Sequence, residues 1–269
     1  METKKDRITY NYFTGVKGLS IVELLLGIFL STIIMIIMVD VLISQDKVFY
    51  TQTDISNGQH NMRIAIKKIT KDLMMAGAGR PAWTTINGTD GLDFSVRYAG
   101  GSLDIVGCLD APRGRLSANV SSGSTTITLN IGEGINFNTT TKSDIRIGDG
   151  ENAKVAHVSG DTLTIDTEPS LSGDQGLAYS YGQNAEVCQV KWVTYSQDTS
   201  NPDKPVLKMD EHQGAGAQTI AEYITGINAS ISGNLVDFTI TGRTKNPSKT
   251  TGHYIITETT SKIFARNAK

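Results

Sequence analysis

Residue types that often carry catalysis occur in this sequence, but their spacing does not fit the common catalytic motifs. The four histidines lie far apart and form no HExxH pair; they are His60, His157, His212 and His253. Neither a Gly-x-Ser-x-Gly nucleophile elbow nor a glycine-rich phosphate-binding loop occurs. Two cysteines are too few for a four-cysteine zinc site or a cysteine-ligated iron–sulfur cluster. The sequence therefore predicts a protein that is not an enzyme and that uses no metal or other cofactor.

Oxygen-bearing side chains cluster around Gly148-Asp149-Gly150. Asp144, Asp149, Glu151 and Asn152 are of the types whose oxygen atoms bind Ca²⁺. Their spacing is not that of an EF-hand loop, and Gly and Asp are typical turn residues. The pattern favours a polar turn, with a calcium-binding loop as the alternative.

A single carboxylate, Glu23, lies within the most apolar stretch of the chain. The 21 residues from Leu19 to Val39 contain no other charge. A helix of that length spans about 31 Å, close to the hydrocarbon thickness of a bilayer. A central Asp in such a helix costs about 2.5 to 3.5 kcal/mol, so Glu23 needs a cation nearby. Cleavage between Gly18 and Leu19 would create an amine positioned to supply it, in the same chain or in a neighbour.

The charges around the apolar run predict its orientation. Four basic residues precede it against two acidic ones: Lys4, Lys5, Arg7 and Lys17 against Glu2 and Asp6. This excess places the N-terminus in the cytoplasm and residues 40–269 across the membrane. Three kinds of segment have such an apolar run: a secretory signal, a plain signal anchor and an anchor cleaved before its apolar part. The long run lacks an Ala-x-Ala site, which disfavours the first, and Glu23 disfavours the second.

The segment Lys17-Gly18 followed by Leu19-Ser20-Ile21-Val22-Glu23 resembles the processing signal of type IV prepilins and pseudopilins. The resemblance implies that a membrane-embedded aspartyl peptidase cuts after Gly18 and methylates the new amine of Leu19. It also implies that Glu23 guides docking into a growing filament. The family most often has Phe at the first mature position, whereas this chain has Leu19. This departure bears on the efficiency of cleavage.

Later motifs narrow the resemblance. Residues 59–65 (QHNMRIA) and 72–77 (DLMMAG) are similar to segments of PilW-type minor pilins, and Phe264-Ala265-Arg266-Asn267 is similar to the Arg-Asn ending of many minor pilins. The implied partners are the prepilin peptidase and methyltransferase, other major and minor pilins, and an inner-membrane assembly platform. The implied location is the inner membrane, as a single-pass protein, and then the periplasm or a surface pilus.

The element that carries Glu23 is a long predicted helix from about Leu19 to Ala76, with residues 19–39 crossing the membrane. Beyond Asp40 the apolar residues recur at mostly three-, four- and seven-residue steps: Leu42, Phe49, Ile55, Met62, Ile66, Ile69 and Leu73. Other faces of the helix carry a basic run, Arg63, Lys67, Lys68 and Lys71. We expect this run to be a solvated surface, and the alternative is that it contacts DNA or an acidic neighbour. The cluster from Gly77 to Pro81 predicts the helix end. At the usual rise the helix is about 87 Å long.

The remainder is predicted to be β-rich. Short β-branched runs bounded by turn residues occur at 102–110, 125–131, 153–166, 186–195, 205–210, 235–241 and 253–259. The run at 153–166 is predicted to form a hairpin around Ser159-Gly160-Asp161. The domain prediction is a leader at 1–18, a helix at 19–80 and a β-rich head at 81–269. An insert at about 114–182 is either an elaboration of the head's sheet or a long decorated loop region. The fold class is α+β, pilin-like, with an antiparallel head.

The two cysteines, Cys108 and Cys188, lie in predicted strands on the oxidising side of the membrane. Paired thiols commonly form disulfides in such a compartment. A Cys108–Cys188 bond and two separate buried thiols are both compatible with the sequence.

The functional prediction is a structural minor pilin that assembles or primes a type IV pilus. A large head is hard to repeat along a packed filament, which favours a position at the tip. The alternatives are a pseudopilin of type II secretion and a pilus-associated adhesin whose insert binds a surface or a glycan. A formal net charge of −2 gives no global basic field, so no nucleic-acid partner is implied.

Overall fold

The computed structural model describes residues 20–267. The predicted leader at 1–18, the cleavage site between Gly18 and Leu19, and the methylation of Leu19 lie outside the described residues. The chain divides into two compact units, one up to Thr51 and one from Gln52 onward. A helix, α1 (Ile21–Met75), begins in the first unit and ends in the second. The coarse α+β prediction, a long apolar N-terminal helix with antiparallel sheets, is confirmed.

Fourteen strands follow α1 within residues 20–267. They are β1 (Val96–Ala99), β2 (Ser102–Gly107), β3 (Gly114–Arg115), β4 (Thr126–Thr128), β5 (Asp144–Ile147), β6 (Glu151–Ser159), β7 (Thr162–Asp166), β8 (Glu186–Gln189), β9 (Lys191–Asp198), β10 (Val206–Asp210), β11 (Gln218–Glu222), β12 (Ile224–Ser232), β13 (Leu235–Arg243) and β14 (Ile256–Phe264). A 3₁₀ turn, Gly134–Asn136, separates β4 from β5. The sheet orders are β1-β2-β9-β10-β11, β12-β13-β14 and β3-β8-β5-β6-β7-β4.

The end of α1 depends on glycines, as the sequence predicts. Gly77 and Gly79 have φ values of 75° and 67°, which side chains rarely allow. The Gly77 N–H donates to the Val106 carbonyl at 2.8 Å, which joins the helix end to β2. A Cβ on Gly107 would lie 2.7 Å from the Met75 carbonyl oxygen. The close approach of β2 to the helix therefore requires glycine at this position.

The part of α1 in the second unit buries one stripe against the five- and three-stranded sheets. Met62, Ala65, Ile69 and Leu73 are buried at steps of three and four residues. Their core partners come from five strands: Leu103, Ile105, Val193, Tyr195, Leu207, Ile227, Phe238 and Ile240. Leu42 and Phe49, which the sequence placed in the same stripe, are exposed and belong to the first unit.

The six-stranded sheet closes into a small barrel. Its first and last strands in the sheet order, β3 and β4, are joined at their ends by a bridge between Leu116 and Leu129. The Ser117 N–H donates to the Thr128 carbonyl and the Asn130 N–H to the Arg115 carbonyl, both at 2.9 Å. A separate core fills the barrel: Leu116, Ile127, Leu129, Phe137, Ile145, Ile147, Ala153, Val155, Leu163, Ile165, Leu177 and Val187. Closure removes the free edges that an open sheet would expose.

The barrel is inserted between two strands that are themselves neighbours. β2 and β9 pair antiparallel, and their last pair is Gly107 with Lys191. The barrel strands run from Gly114 to Gln189, which places β8 in the same sheet beyond the end of the segment predicted at about 114–182. A β-hairpin of the five-stranded sheet thus carries a second β-structure in its loop.

Two strand predictions have different outcomes. The hairpin at 153–166 is confirmed, with Gly160 at φ 60° between β6 and β7. The run at 186–195 is β-structure, as predicted, but it is divided between two strands, because the chain leaves the barrel at Gln189 and enters the five-stranded sheet at Lys191. The Val190 N–H donates to the Asp144 carbonyl at 2.8 Å at this crossing. The crossing is buried on both sides, so the sequence shows no turn residue there.

Candidate functional site

The fold leaves the apolar surface of the first part of α1 exposed. Every side chain from Ile21 to Val39 is exposed, and this segment is long and apolar enough to cross a membrane. Its hydroxyl groups are satisfied within the helix: Ser31 donates to the Gly27 carbonyl at 2.8 Å and Thr32 to the Phe29 carbonyl at 2.7 Å. Because polar groups in hydrocarbon need internal partners, this arrangement suits a lipid environment.

Glu23 forms part of a helix cap. The Ser20 N–H donates to Oε2 of Glu23 at 3.1 Å, and the Val22 N–H donates to Oγ of Ser20 at 3.4 Å. This reciprocal arrangement is a capping box, which the Ser-x-x-Glu spacing at 20–23 predicts and which the sequence interpretation overlooked. Among residues 20–267 no basic side chain forms an ion pair with Glu23. Its proposed cation, the amine of Leu19, lies outside the described residues.

A second carboxylate, Asp72, is buried where α1 packs on the sheets. The Tyr195 hydroxyl donates to Asp72 Oδ2, and the Lys68 ammonium lies 3.2 Å from the same oxygen. Burial raises the pKa of Asp72 above its ordinary value, against the opposing effects of Tyr195 and Lys68. Burial and the adjacent Asp72 charge also raise the pKa of Tyr195. Asp72 follows Ile69 by three residues, so its place on the buried stripe could have been predicted.

The basic run of α1 is partly used by the fold. Lys68 pairs with Asp72, and the Lys71 ammonium lies 4.0 Å from Asp110. Arg63 and Lys67 are exposed, as predicted for a solvated face.

We call the connection between the barrel and the five-stranded sheet the neck; it comprises residues 108–113 and 188–190 and the loop 77–95. Cys108 and Cys188 are joined by a disulfide across the neck, with their Cα atoms 5.9 Å apart. The bond closes a loop with a sequence separation of 80 residues. A small core surrounds it: Ala78, Ile86, Leu92, Val106 and Val190, with Phe94 and Trp192 at its margin.

A buried lysine occupies the other side of the neck. Lys191, 1% exposed, donates to Asp110 and lies 3.0 Å from Glu211. Burial alone would raise the pKa of Asp110, but the hydrogen bonds and charges of Lys191 and Arg113 outweigh it and hold the pKa at about 2. The sequence interpretation missed Lys191 because it lies inside a β-branched run that looks like an ordinary strand.

The four residues considered for calcium binding each make different contacts within the fold. Asp144 accepts hydrogen bonds from Trp83 Nε1 and the Asn87 N–H, each at 2.7 Å, which fixes the loop 77–95 to the barrel. Glu151 accepts from the N–H groups of Ala178 and Tyr179.

The other two lie apart from these. Asn152 donates to the Arg80 carbonyl, and exposed Asp149 lies 3.5 Å from Arg146. Gly148 to Gly150 form the turn between β5 and β6, so the turn prediction is confirmed. No group of three or more His, Cys, Asp or Glu side chains suited to a metal occurs within residues 20–267.

The barrel also presents two isoleucines to solvent. Ile131 is 99% exposed and Ile135 is 83% exposed. Their loop is held by Asp161, whose carboxylate accepts from the N–H groups of Gly132 and Gly134 at 3.0 Å. These backbone hydrogen bonds, led by that of Gly134, lower the pKa of Asp161. Hydrogen bonds to Asp161 therefore fix the backbone of a loop whose two isoleucine side chains are exposed to solvent.

Comparison with protein-family models, curated proteins and solved structures finds no match to this chain. The functional conclusion therefore depends on the chemistry of the chain itself.

Proposed function

We propose that this chain is a membrane-anchored minor pilin that takes part in the assembly or tip priming of a type IV pilus. Its leader is removed after Gly18, and the new amine of Leu19 is methylated. The mature protein waits in the inner membrane and then joins a filament with other pilins. Its role is structural.

The observation that carries this proposal is the division of α1 into two chemically different parts. Apart from Glu23, the helix from Ile21 to Val39 exposes only apolar residues and hydroxyl groups that bond within the helix. From Met62 to Leu73 the same helix buries a stripe in a core of antiparallel sheets. A pilin requires this combination, because its first part must pack in lipid and then among other helices, while its second part carries the head.

Glu23 adds the element that a plain anchor lacks. A carboxylate near the start of an apolar helix is costly unless it meets a cation or donors, and the capping box supplies one N–H donor at 3.1 Å. The remaining acceptor capacity of the carboxylate suits an amine at Leu19, in the same chain or in a neighbouring subunit.

The proposal is tested by the intact mass of the mature protein purified from cells with their own prepilin peptidase. We expect a chain that begins at Leu19 and carries one additional methyl group. Gly18→Val should abolish cleavage, whereas Gly15→Val, the matched control inside the leader, should leave it intact. A mature chain that retains Met1, or one that is cut near residue 44, would contradict the pilin proposal.

A pseudopilin of type II secretion would share this processing. Antibody labelling separates the two roles, because a minor pilin is found in surface filaments and a pseudopilin remains in the periplasm. The exposed Ile131 and Ile135 favour a second candidate function, an adhesive or ligand-binding head that uses the barrel.

A further inference from the structure

β14 is a long free edge in the second unit. It pairs with β13 over nine residues without a register shift, and no strand lies on its other side within residues 20–267. The edges of the five-stranded sheet, β1 and β11, are only four and five residues long. β12, at the opposite side of the three-stranded sheet, is covered by Tyr98, which donates to the Ile227 carbonyl at 2.7 Å.

Proteins usually protect such edges with proline, bulges or shortness, because free N–H and C=O groups recruit another strand. β14 (ITETTSKIF) contains no proline and no bulge. Its two ends expose large apolar side chains, with Ile256 66% exposed and Phe264 62% exposed. The edge is therefore open to pairing along its whole length.

The outward-facing residues of β14 are complementary to themselves. They alternate along the strand as Ile256, Glu258, Thr260, Lys262 and Phe264. In an antiparallel pair of two copies centred on Thr260, Ile256 faces Phe264 and Glu258 faces Lys262, twice each by symmetry. Thr260 then faces its own counterpart.

Other registers lose this complementarity. Centring the pair on Glu258 places two glutamates opposite each other, and centring it on Lys262 places two lysines opposite each other. Like charges directly across a sheet are destabilising, whereas apolar, opposite-charge and Thr–Thr pairs each stabilise by about 0.2 to 1 kcal/mol. Among the registers centred on Glu258, Thr260 or Lys262, the residue types therefore favour the one centred on Thr260.

We infer that β14 is a homodimerisation edge, which pairs antiparallel with β14 of a second copy about a two-fold axis at Thr260. The pairing joins two three-stranded sheets into one sheet of six strands. The interface is isologous, because the same strand contributes both halves. This inference rests on the second unit alone and holds whether or not the chain is a pilin.

The side chains involved keep their contacts within the chain. Lys262 donates to Asp237 at 3.1 Å and is 69% exposed, so it can also reach Glu258 of the second copy. Glu258 accepts a hydrogen bond of 3.4 Å from the Thr241 hydroxyl on the same face. One strand pair is a small interface, so association is expected to depend on concentration.

Thiol cross-linking of the full chain in detergent micelles tests the register. In Thr260→Cys the two new thiols face each other across the axis, so a short bis-maleimide should give a covalent dimer linked through position 260. Ser230→Cys is the matched control, since it is exposed on β12 of the same sheet. Peptide mapping identifies the linked residues, and protection of Cys108 and Cys188 from labelling checks that each variant is folded.

We expect a cross-linked dimer for position 260 and none for position 230. Equal yields at both positions, including no dimer at either, would overturn the inference. An unchanged mature mass starting at Leu19 in the same samples keeps that failure distinct from a failure of the pilin proposal.

A charge variant tests the pairing at a position away from the two-fold axis. In the Thr260→Cys background, Glu258→Lys places lysines opposite lysines and should lower the cross-linking rate by at least about tenfold. Asp174→Lys makes the same change of charge at an exposed barrel position and should leave the rate unchanged. Equal rates in the two variants would contradict self-pairing through β14.

Discussion

At the scale of single residues, Glu23 has two roles that its carboxylate can serve. It is the third residue of the first helical turn, where it caps Ser20, and it is the one charge in the apolar run. A capping box accepts Glu or Gln equally, whereas an ion pair with an amine requires the charge. The two roles can therefore be separated by substitution.

We predict that Glu23→Gln and Glu23→Ala insert and are cleaved normally but reach filaments about tenfold less, because a charge-assisted hydrogen bond of about 1.5 to 3 kcal/mol is lost in both. The abundance of each variant in sheared pili measures this. Wild-type abundance of Glu23→Gln with loss of Glu23→Ala would show that capping is the role. Loss of cleavage in both would show that Glu23 serves the peptidase.

Asp72 is the second residue with an unusual environment. Its pKa is raised in the folded protein, so the carboxyl group contributes stability fully below its ordinary pKa of 3.8. Between the ordinary pKa and the raised pKa, the folded state still holds a proton that the unfolded state has released. The contribution is therefore lost as the pH rises towards and through the raised pKa of the folded state.

Asp72→Asn should remove this pH dependence while its amide oxygen still accepts from the Tyr195 hydroxyl. We expect the free energy of unfolding of the wild type to fall relative to that of Asp72→Asn as the pH rises above 3.8, measured by denaturant titration in detergent. The contribution of other groups cancels in this difference. Asp72→Leu, which leaves Tyr195 without its acceptor, should cost about 1 to 3 kcal/mol. A difference that does not vary with pH would contradict a raised pKa.

At the scale of elements, the sequence predicts those whose pattern is local. The long helix, its glycine stop and the β6–β7 hairpin follow from apolar periodicity and turn residues. β12 was missed because its Gly, Asn and Ser residues weaken the strand signal, and β5 because Asp144 was assigned to a polar turn. The division of 186–195 between two sheets depends on long-range contacts that leave no local mark.

The neck is the element on which the barrel depends. We predict that wild-type protein unfolded without reductant has no reactive thiol at Cys108 or Cys188. Replacing both by serine should lower the free energy of unfolding by about 4 kcal/mol on the chain-entropy model, because the closed loop is long. Reduction of the wild type is the matched control and should give the same loss. Two thiols that label before reduction would contradict the bond.

At the scale of the whole molecule, the segment that is long and apolar enough to span a membrane and the barrel belong to different parts of the chain. The membrane-type segment lies in the first unit, and the barrel occupies the β2–β9 loop of the second. Only its existence as an insert could be predicted from composition, because closure through Leu116 and Leu129 is a non-local bridge. The barrel therefore offers a way to separate assembly from binding.

The barrel can be removed at a point where the chain already comes together. Arg115 and Glu186 are paired neighbours of β3 and β8, so a two-residue Asn-Gly turn can replace residues 116–185 and retain both cysteines. We expect the shortened protein to be processed and to enter pili at wild-type abundance, because on the pilin proposal those steps depend on the Gly18–Leu19 junction and on α1.

If the barrel binds a surface, the shortened protein should lose adhesion while piliation stays normal. The double variant Ile131→Ser and Ile135→Ser should reproduce that loss, because burial of each isoleucine against a ligand contributes about 1.5 to 3 kcal/mol. Leu171→Ser, at another exposed barrel position, is the matched control and should bind normally. Loss of piliation by the shortened protein, with its disulfide intact, would instead make the barrel an assembly element. Adhesion that survives both changes would assign binding to another part of the head.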